Sequence, residues 1–393
     1  MVLIQLKEKF NEVFEIGNRE IYTYFSPGRV NLIGEHIDYN GGMVLPVAIN
    51  LGTYAVVALR NDRQVNLMSL NFENMGVLSF QLDRIAYNAE MGWANYPMGI
   101  FKTLSDMGHE ASHGMDILYY GDLPNGAGLS SSASIEVLTA TIIKEQFDLP
   151  ISPEQIAVYS QKSENTFNGV NCGIMDQFAI AMGKTEHALL LNCDTLAYEH
   201  VPAELDDYRI VIINTNKKRG LVDSEYNARR AECESALSIL KQSFNERTIH
   251  ALCDLTPAEF LSVSESIQDS VVYKRAFHAI IENYRTLRSK EALSNGDLAA
   301  FGEWMYGSHE SLRHNFEVSC FELDTVVDYC RGVRGVLGAR MTGAGFGGCA
   351  IALTHKDHID ELMQGLSGHY HSMTGLEVDY YIAQISGGTK RVE

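Results

Sequence analysis

An α+β fold is predicted for this 393-residue chain from three observations. Strand-like and helix-like runs interleave without the regular βαβ rhythm of a parallel sheet. The second half is dense in helical periodicity, and a polar segment near 202–207 separates the halves. In chain order, Thr53 to Arg60 and Met115 to Tyr120 read as strands, and helices are expected from Ser130 and from Pro153. The segment Pro-Ala-Glu-Leu-Asp-Asp precedes a buried strand, Tyr208 to Asn214, so two domains are expected, 1–205 and 206–393. Beyond it, Ser224 to Leu240, Thr256 to Ile267, Tyr273 to Arg288 and Ala299 to Arg313 carry apolar residues at helical spacing, and a glycine-rich turn leads into an apolar strand at 349–354. Repeats and low-complexity segments are absent.

Composition narrows the function. A formal net charge of -19, from 31 basic and 50 acidic residues, disfavours nucleic acid, whose phosphates need clustered Lys and Arg. An anionic ligand must then be held locally. Seven cysteines, odd in number, scattered and without a C-x-x-C pair, indicate buried thiols rather than a disulfide framework or a zinc site. The first residues, MVLIQLKEKFNEVF, carry charges where a signal peptide would be apolar, and no later run reaches membrane-span length. A cytoplasmic protein with no membrane partner is expected.

Four segments concentrate chemistry. In Pro124-Asn125-Gly126-Ala127-Gly128-Leu129-Ser130-Ser131-Ser132-Ala133-Ser134, small residues let the backbone approach an anion. Three serines then stand where they could cap the helix that follows, and oriented amides with the helix dipole favour a bound phosphate. A loop that only caps its helix would look similar. Gly183-Lys184-Thr185 mimics the tail of a Walker A motif, but its upstream glycine position holds Phe178. Gly343, Gly345 and Gly348 satisfy G-x-G-x-x-G yet precede an apolar strand instead of a helix.

The second segment, Ser26 to Gly42, gathers Arg29, Glu35, His36, Asp38 and Tyr39 in what reads as one glycine-bounded loop. It suits a polyhydroxylated ligand, or a solvated turn. The third is Ser163-Glu164-Asn165-Thr166 with Asn171-Cys172-Gly173-Ile174-Met175-Asp176-Gln177. Asp176 falls there in the first turn of a helix reaching about Gly183, where an Asp also serves as a plain helix stabiliser. The fourth is Arg340-Met341-Thr342-Gly343-Ala344-Gly345-Phe346-Gly347-Gly348, able to approach a ligand or to make a tight hairpin.

Together these segments resemble the galactokinases of the GHMP kinase superfamily. GRVNLIGEHIDYNGG is similar to the galactokinase signature, PNGAGLSSSAS to the superfamily phosphate motif and MTGAGFGG to its C-terminal motif. Trp93-Ala94-Asn95-Tyr96, Asn171 to Gln177 and Ser224 to Arg230 extend the resemblance over nearly the whole chain. Ala344 stands where many members have a third glycine. The resemblance implies a two-domain GHMP kinase fold, with an N-terminal domain like ribosomal protein S5 domain 2, a C-terminal ferredoxin-like domain and the active site between them. It implies transfer of the ATP γ-phosphate to the anomeric hydroxyl of α-D-galactose. Asp176 would be the catalytic base and Arg29 its neighbour. Glu35, His36, Ile37 and Asp38, with Gly173 and Tyr226, would bind the sugar. Gly126, Ala127, Gly128, Leu129, Ser130, Ser131 and Ser132 would wrap the ATP phosphates, Ser69 and Trp93 would lie near adenine, and Ser132 and Glu164 would hold Mg²⁺. A monomer acting on two small molecules, galactose and ATP, is the expected form. A kinase for N-acetylgalactosamine or another hexose uses the same motifs, and so does a non-catalytic sensor of galactose and ATP. The intact Ser132-Ala133-Ser134, with Arg29 and Asp176, favours catalysis.

Overall fold

A computed structural model describes residues 2–123, 128–217 and 222–393. The first half runs α1 (Val2–Val13), β1 (Tyr22–Asn31), β2 (Met43–Val44), β3 (Pro46–Leu59), β4 (Gln64–Ser69), β5 (Leu78–Gln81), α2 (Asn95–Asp106) and β6 (Met115–Gly121). It continues with α3 (Ser131–Gln146), α4 (Pro153–Thr166), α5 (Met175–Met182), β7 (His187–Asn192) and β8 (Tyr198–Pro202). The second half begins with β9 (Tyr208–Asn214), α6 (Val222–Ser243), α7 (Pro257–Val263), α8 (Ser270–Ser294), α9 (Leu298–Ser311) and α10 (Phe321–Arg331). It ends with β10 (Val336–Thr342), β11 (Cys349–His355), α11 (Ile359–Thr374), β12 (Asp379–Ala383) and β13 (Lys390–Arg391). The class is α+β.

The strands form a six-stranded sheet in the order β13-β1-β3-β6-β4-β5, a four-stranded sheet β10-β11-β9-β12 and a small sheet β2-β7-β8. Side chains alternate faces along a strand, and β3 shows it. Ala55 and Val57 face a core shared with Met98, Phe101, Val137 and Ile142 of α2 and α3, whereas Val56 and Ala58 meet Leu6 and Phe10 of α1, and Phe14 just after it, on the other side. In the second half, β9, α6, β10, β11, α11 and β12 follow the βαββαβ order of a ferredoxin-like unit, with α7 to α10 inserted between α6 and β10. The break between β8 and β9 falls at the polar segment 202–207. The end of the chain crosses back, pairing Arg391 with Tyr24 and Lys390 with Phe25 on β1.

Local signals explain where several helices begin. Ser152 and Gln155 make a reciprocal capping box with Pro153 at the first helical position of α4, and Thr256 with Glu259 does the same for α7. One expectation is corrected. The segment carrying Arg29 is not loop but the buried strand β1, paired with β3 across an irregularity at Pro27/Gly28. Pro-Gly reads locally as a turn, yet burial from Thr23 to Asn31 makes a satisfied backbone obligatory, and the sheet ladder satisfies it. The seven cysteines form no disulfide. No helix among the described residues is long and apolar enough to cross a membrane.

Candidate active site

The site begins with a close approach of two backbones. A Cβ at Gly28 would come within 2.6 Å of Leu123 Cδ2 and 2.9 Å of the Leu129 carbonyl oxygen, so glycine here lets the serine-rich segment lie against β1. Arg29 then sits beneath that segment, only 8% exposed, and its Nη1 donates to the Gly128 carbonyl at 2.7 Å. Its Nε and Nη2 donate to Asp176 Oδ1 and Oδ2 at 2.8 and 2.7 Å. Asp176 lies in the first turn of α5, and its Oδ2 also accepts from the Ser130 hydroxyl. A forked guanidinium–carboxylate pair fixes both planes. The carboxylate is thereby held at the start of α3, beside the serine segment.

Ser130 corrects a second expectation. It holds φ 64° at the N-cap of α3 and makes no side-chain capping bond, because its hydroxyl is turned to Asp176. The first amides of α3 consequently keep their capacity for an external anion. Ser132 stands beside Glu164 of α4. Burial pushes the Glu164 carboxyl up from its usual range, and hydrogen bonds from Ser132 and Cys172 oppose the shift. Gln177 Nε2 donates to Glu164 Oε2 at 2.6 Å. Among the described residues no cluster of three His, Cys, Asp or Glu side chains could hold a metal alone. A hydroxyl and a carboxylate in contact fit Mg²⁺, which takes hard oxygens and keeps waters and substrate phosphates for its other positions.

Ser131 and Ser132 also border a cavity of about 170 Å³ lined by Ser69, Phe72, Trp93, Tyr96 and others. The Phe72 and Trp93 rings lie within 11° of parallel with centroids 6.4 Å apart. The structure thus brings Ser69, Trp93 and the serine segment together around one aromatic-walled pocket. Gly126 and Ala127 lie outside the described residues.

The loop after β1 carries other residues singled out in the sequence. Glu35 is 4% exposed, and its Oε1 accepts from the Gly343 amide at 2.9 Å, Thr342 Oγ1 at 3.1 Å and Arg340 Nη1 at 3.3 Å. His36 is buried with both ring nitrogens engaged. Nε2 donates to the Ala344 carbonyl at 3.1 Å, which leaves Nδ1 to accept from Tyr39 at 2.8 Å. Burial holds its pKa at about 4, so it is neutral, and it offers a ligand its backbone and ring face. Ile37 is wholly buried and offers only backbone. Asp38 borders a second cavity with Gly173 and Tyr226, and a Cβ at Gly173 would stand 3.1 Å from Asp38 Oδ2. Burial, then the Glu35 charge, pushes the Asp38 carboxyl up to about 6. Tyr226 packs against His36 and Tyr39, each ring pair 5.5 Å apart.

The sequence reading overlooked Phe72, which nothing but its aromatic character marks, and the side chains of Arg340 and Thr342. Arg340 had a usable signal. A cation between apolar residues of a core strand must find a buried partner, and Glu35 is that partner.

Comparison with known proteins places the chain in a family. The family model for the galactokinase galactose-binding signature matches residues 8–59, and those for the GHMP kinase N-terminal and C-terminal domains match 95–184 and 289–372. The chain is 49% identical over 387 residues to a galactokinase of Clostridium beijerinckii, covering 98% of each chain. It is 47% identical over 386 residues to one of Streptococcus thermophilus, again covering 98% of each. The crystal structure of Lactococcus lactis galactokinase complexed with galactose superposes with a TM-score of 0.93 at 43% identity over 100% of both chains. Mevalonate kinase of Methanococcus jannaschii, at 20% identity and a TM-score of 0.65 over 94% of this chain and 99% of that one, shares the fold. With its signature loop, both kinase domains and nearly half of its residues in common with such relatives, this chain belongs to the galactokinase family of the GHMP kinases.

Proposed function

We propose that this chain transfers the γ-phosphate of ATP to the C1 hydroxyl of α-D-galactose, yielding galactose 1-phosphate and ADP. The observation that carries the reading is the forked Arg29–Asp176 pair, set where the anion-receptive end of α3 meets the sugar loop. The base of ATP fits the pocket of Ser69 and Trp93, and its phosphates fit the amides from Gly128 to Ser132. Galactose fits the loop of Glu35 to Asp38 against Gly173 and Tyr226. Glu35 would present Oε2, which none of its described bonds uses, and Asp38 its carboxylate. Ser132 and Glu164 would hold Mg²⁺, which when bound neutralises charge on the β- and γ-phosphates.

Asp176 receives or orients the C1 proton as O1 attacks the γ-phosphorus. The bond to the bridging oxygen breaks, and its electron pair leaves with ADP. Arg29 keeps the carboxylate in place and offsets charge gathering on the transferred group. Ser130 keeps Asp176 from rotating away.

The same reading includes a domain division near residue 205, with a site built from both sides of it. It also includes a cytoplasmic monomer acting on small molecules and no nucleic acid. The net charge of -19 supports the last point, and one chain carrying every proposed site residue supports the monomer. The test is coupled ADP release with Mg²⁺ across galactose, glucose, N-acetylgalactosamine and mevalonate. Galactose should be strongly preferred. Preference for another acceptor would overturn the assignment, and so would galactose binding without ADP release.

A further inference from the structure

Behind Glu35 runs a file of buried charges that the reaction itself does not use. Arg285 Nη1 of α8 donates to Glu282 Oε2 at 2.7 Å, and the Ser308 hydroxyl of α9 donates to Glu282 Oε1. Arg340 Nε of β10 donates to Ser308 Oγ at 3.2 Å, and its Nη1 reaches Glu35 Oε1 at 3.3 Å. Arg340 Nη1 also donates to the carbonyls of Asn31 and Leu32 at 3.1 and 3.2 Å, at the end of β1. Glu282 Oε1 accepts in addition from the amide of Gly34, next to Glu35, at 3.2 Å. His278 of α8 completes the grip, its Nε2 donating to the Glu35 carbonyl at 3.1 Å.

Arg285 is 9% exposed, Glu35 4%, and Glu282, Ser308 and Arg340 are fully buried. Read along the file, the charges alternate plus, minus, plus, minus and sum to zero. Burial works against the Glu282 carboxylate, yet Arg285 and its other cationic neighbours hold it down at about 2, so it stays charged. Such a file is a poor source of stability, because desolvating ions costs about as much as their attraction returns. What it supplies is direction. A guanidinium anchored at Ser308 and at two carbonyls can meet Glu35 in only one place.

Resting on the galactose reading above, we infer that Glu282, Ser308 and Arg340 are positioning residues of the sugar site. Three elements of the second half set the place of Glu35, and hence sugar affinity, without touching sugar or nucleotide. Glu282→Gln removes one charge of the file and leaves Arg285 unpaired. Ser308→Ala removes one hydroxyl and no charge, and serves where the first variant folds poorly.

The measurements are calorimetric titrations with galactose and with ADP, a thermal melt, and steady-state kinetics on each variant and on the wild type. The galactose Kd and KM should rise by about tenfold or more, the scale of one hydrogen bond to a charged group. The ADP Kd should stay within about twofold, well below that scale. A purely structural role would lower the melting temperature and leave the galactose Kd unchanged. Wild-type galactose affinity in either folded variant would overturn the inference, whereas a wild type that fails to bind galactose would overturn the reading beneath it.

Discussion

Asp176 takes both donors of the Arg29 fork and the hydroxyl of Ser130, an arrangement that only a carboxylate can accept in full. Asp176→Asn keeps size and shape, and Asn is as good a residue as Asp at a helix start. A helix stabiliser would leave turnover near normal. In the proposed reaction turnover should fall by at least roughly 10²-fold while calorimetry still detects galactose and ADP. Asp38 makes a prediction with a pH sign. Its folded carboxyl, pushed up to about 6, holds a proton between about pH 4 and 6 that the unfolded chain has released. Stability is therefore lost as pH rises through that window, and above it the ionised Asp38 weakens the unliganded fold. Asp38→Asn should melt a few degrees higher than wild type at pH 7.5, the gap closing near pH 4, and should bind galactose more weakly. In the wild type galactose affinity should decline below about pH 6. That limb belongs to Asp38, because burial holds His36 at about 4 and His278 at about 3. A galactose affinity flat from pH 5 to 8 would remove Asp38 from the sugar contacts.

At the scale of elements, the site is a meeting of helix starts. Helices α3 and α5 both begin here, α3 without a side-chain cap and α5 with Asp176 in its first turn, while α4 contributes Glu164 from its buried face. Leaving amides uncapped costs helix stability, a cost that a phosphate bound there would recover in the proposed reaction. The Ser132–Glu164 contact sets the expectation for metal. Ser132→Ala and Glu164→Gln should raise the Mg²⁺ concentration for half-maximal ADP release by about tenfold or more, since losing a ligand costs at least what losing an outer-shell partner does. Excess Mg²⁺ should partly restore the rate. A metal titration unchanged in both variants would place the ion elsewhere.

The whole molecule supplies discrimination. Glu35 belongs to the loop after β1, yet its partners Arg340 and Thr342 lie on β10. In the proposed reading the sugar would be met by groups locked across both halves instead of by a pliant surface turn. Rigid, buried acceptors penalise a hydroxyl of the wrong configuration by leaving polar groups unpaired, an effect on the order of 10⁴ in kcat/KM. Glucose, the C4 epimer, should fall behind galactose by a factor of that order in the ADP-release assay. Equal efficiency on the two sugars would contradict a site of this stiffness.

The α+β class, the strand Tyr208–Asn214 and the position of the polar break at 202–207 were determined by the sequence alone. Periodicity and turn chemistry act over a few residues and need no knowledge of the rest of the chain. The density of Arg29, Glu35, Asp38 and the serine segment was legible for the same reason. Tertiary structure alone decided how those residues are used. It drew Pro27-Gly28 into a strand, turned Ser130 from its helix to Asp176, engaged both nitrogens of His36 and tied Glu35 to Arg340. Arg29 and Asp176 lie 147 positions apart and Glu35 and Arg340 305. Contacts of that span exist only after the sheets have paired and the two halves have closed, because burial makes each polar group seek the partner the finished fold brings near.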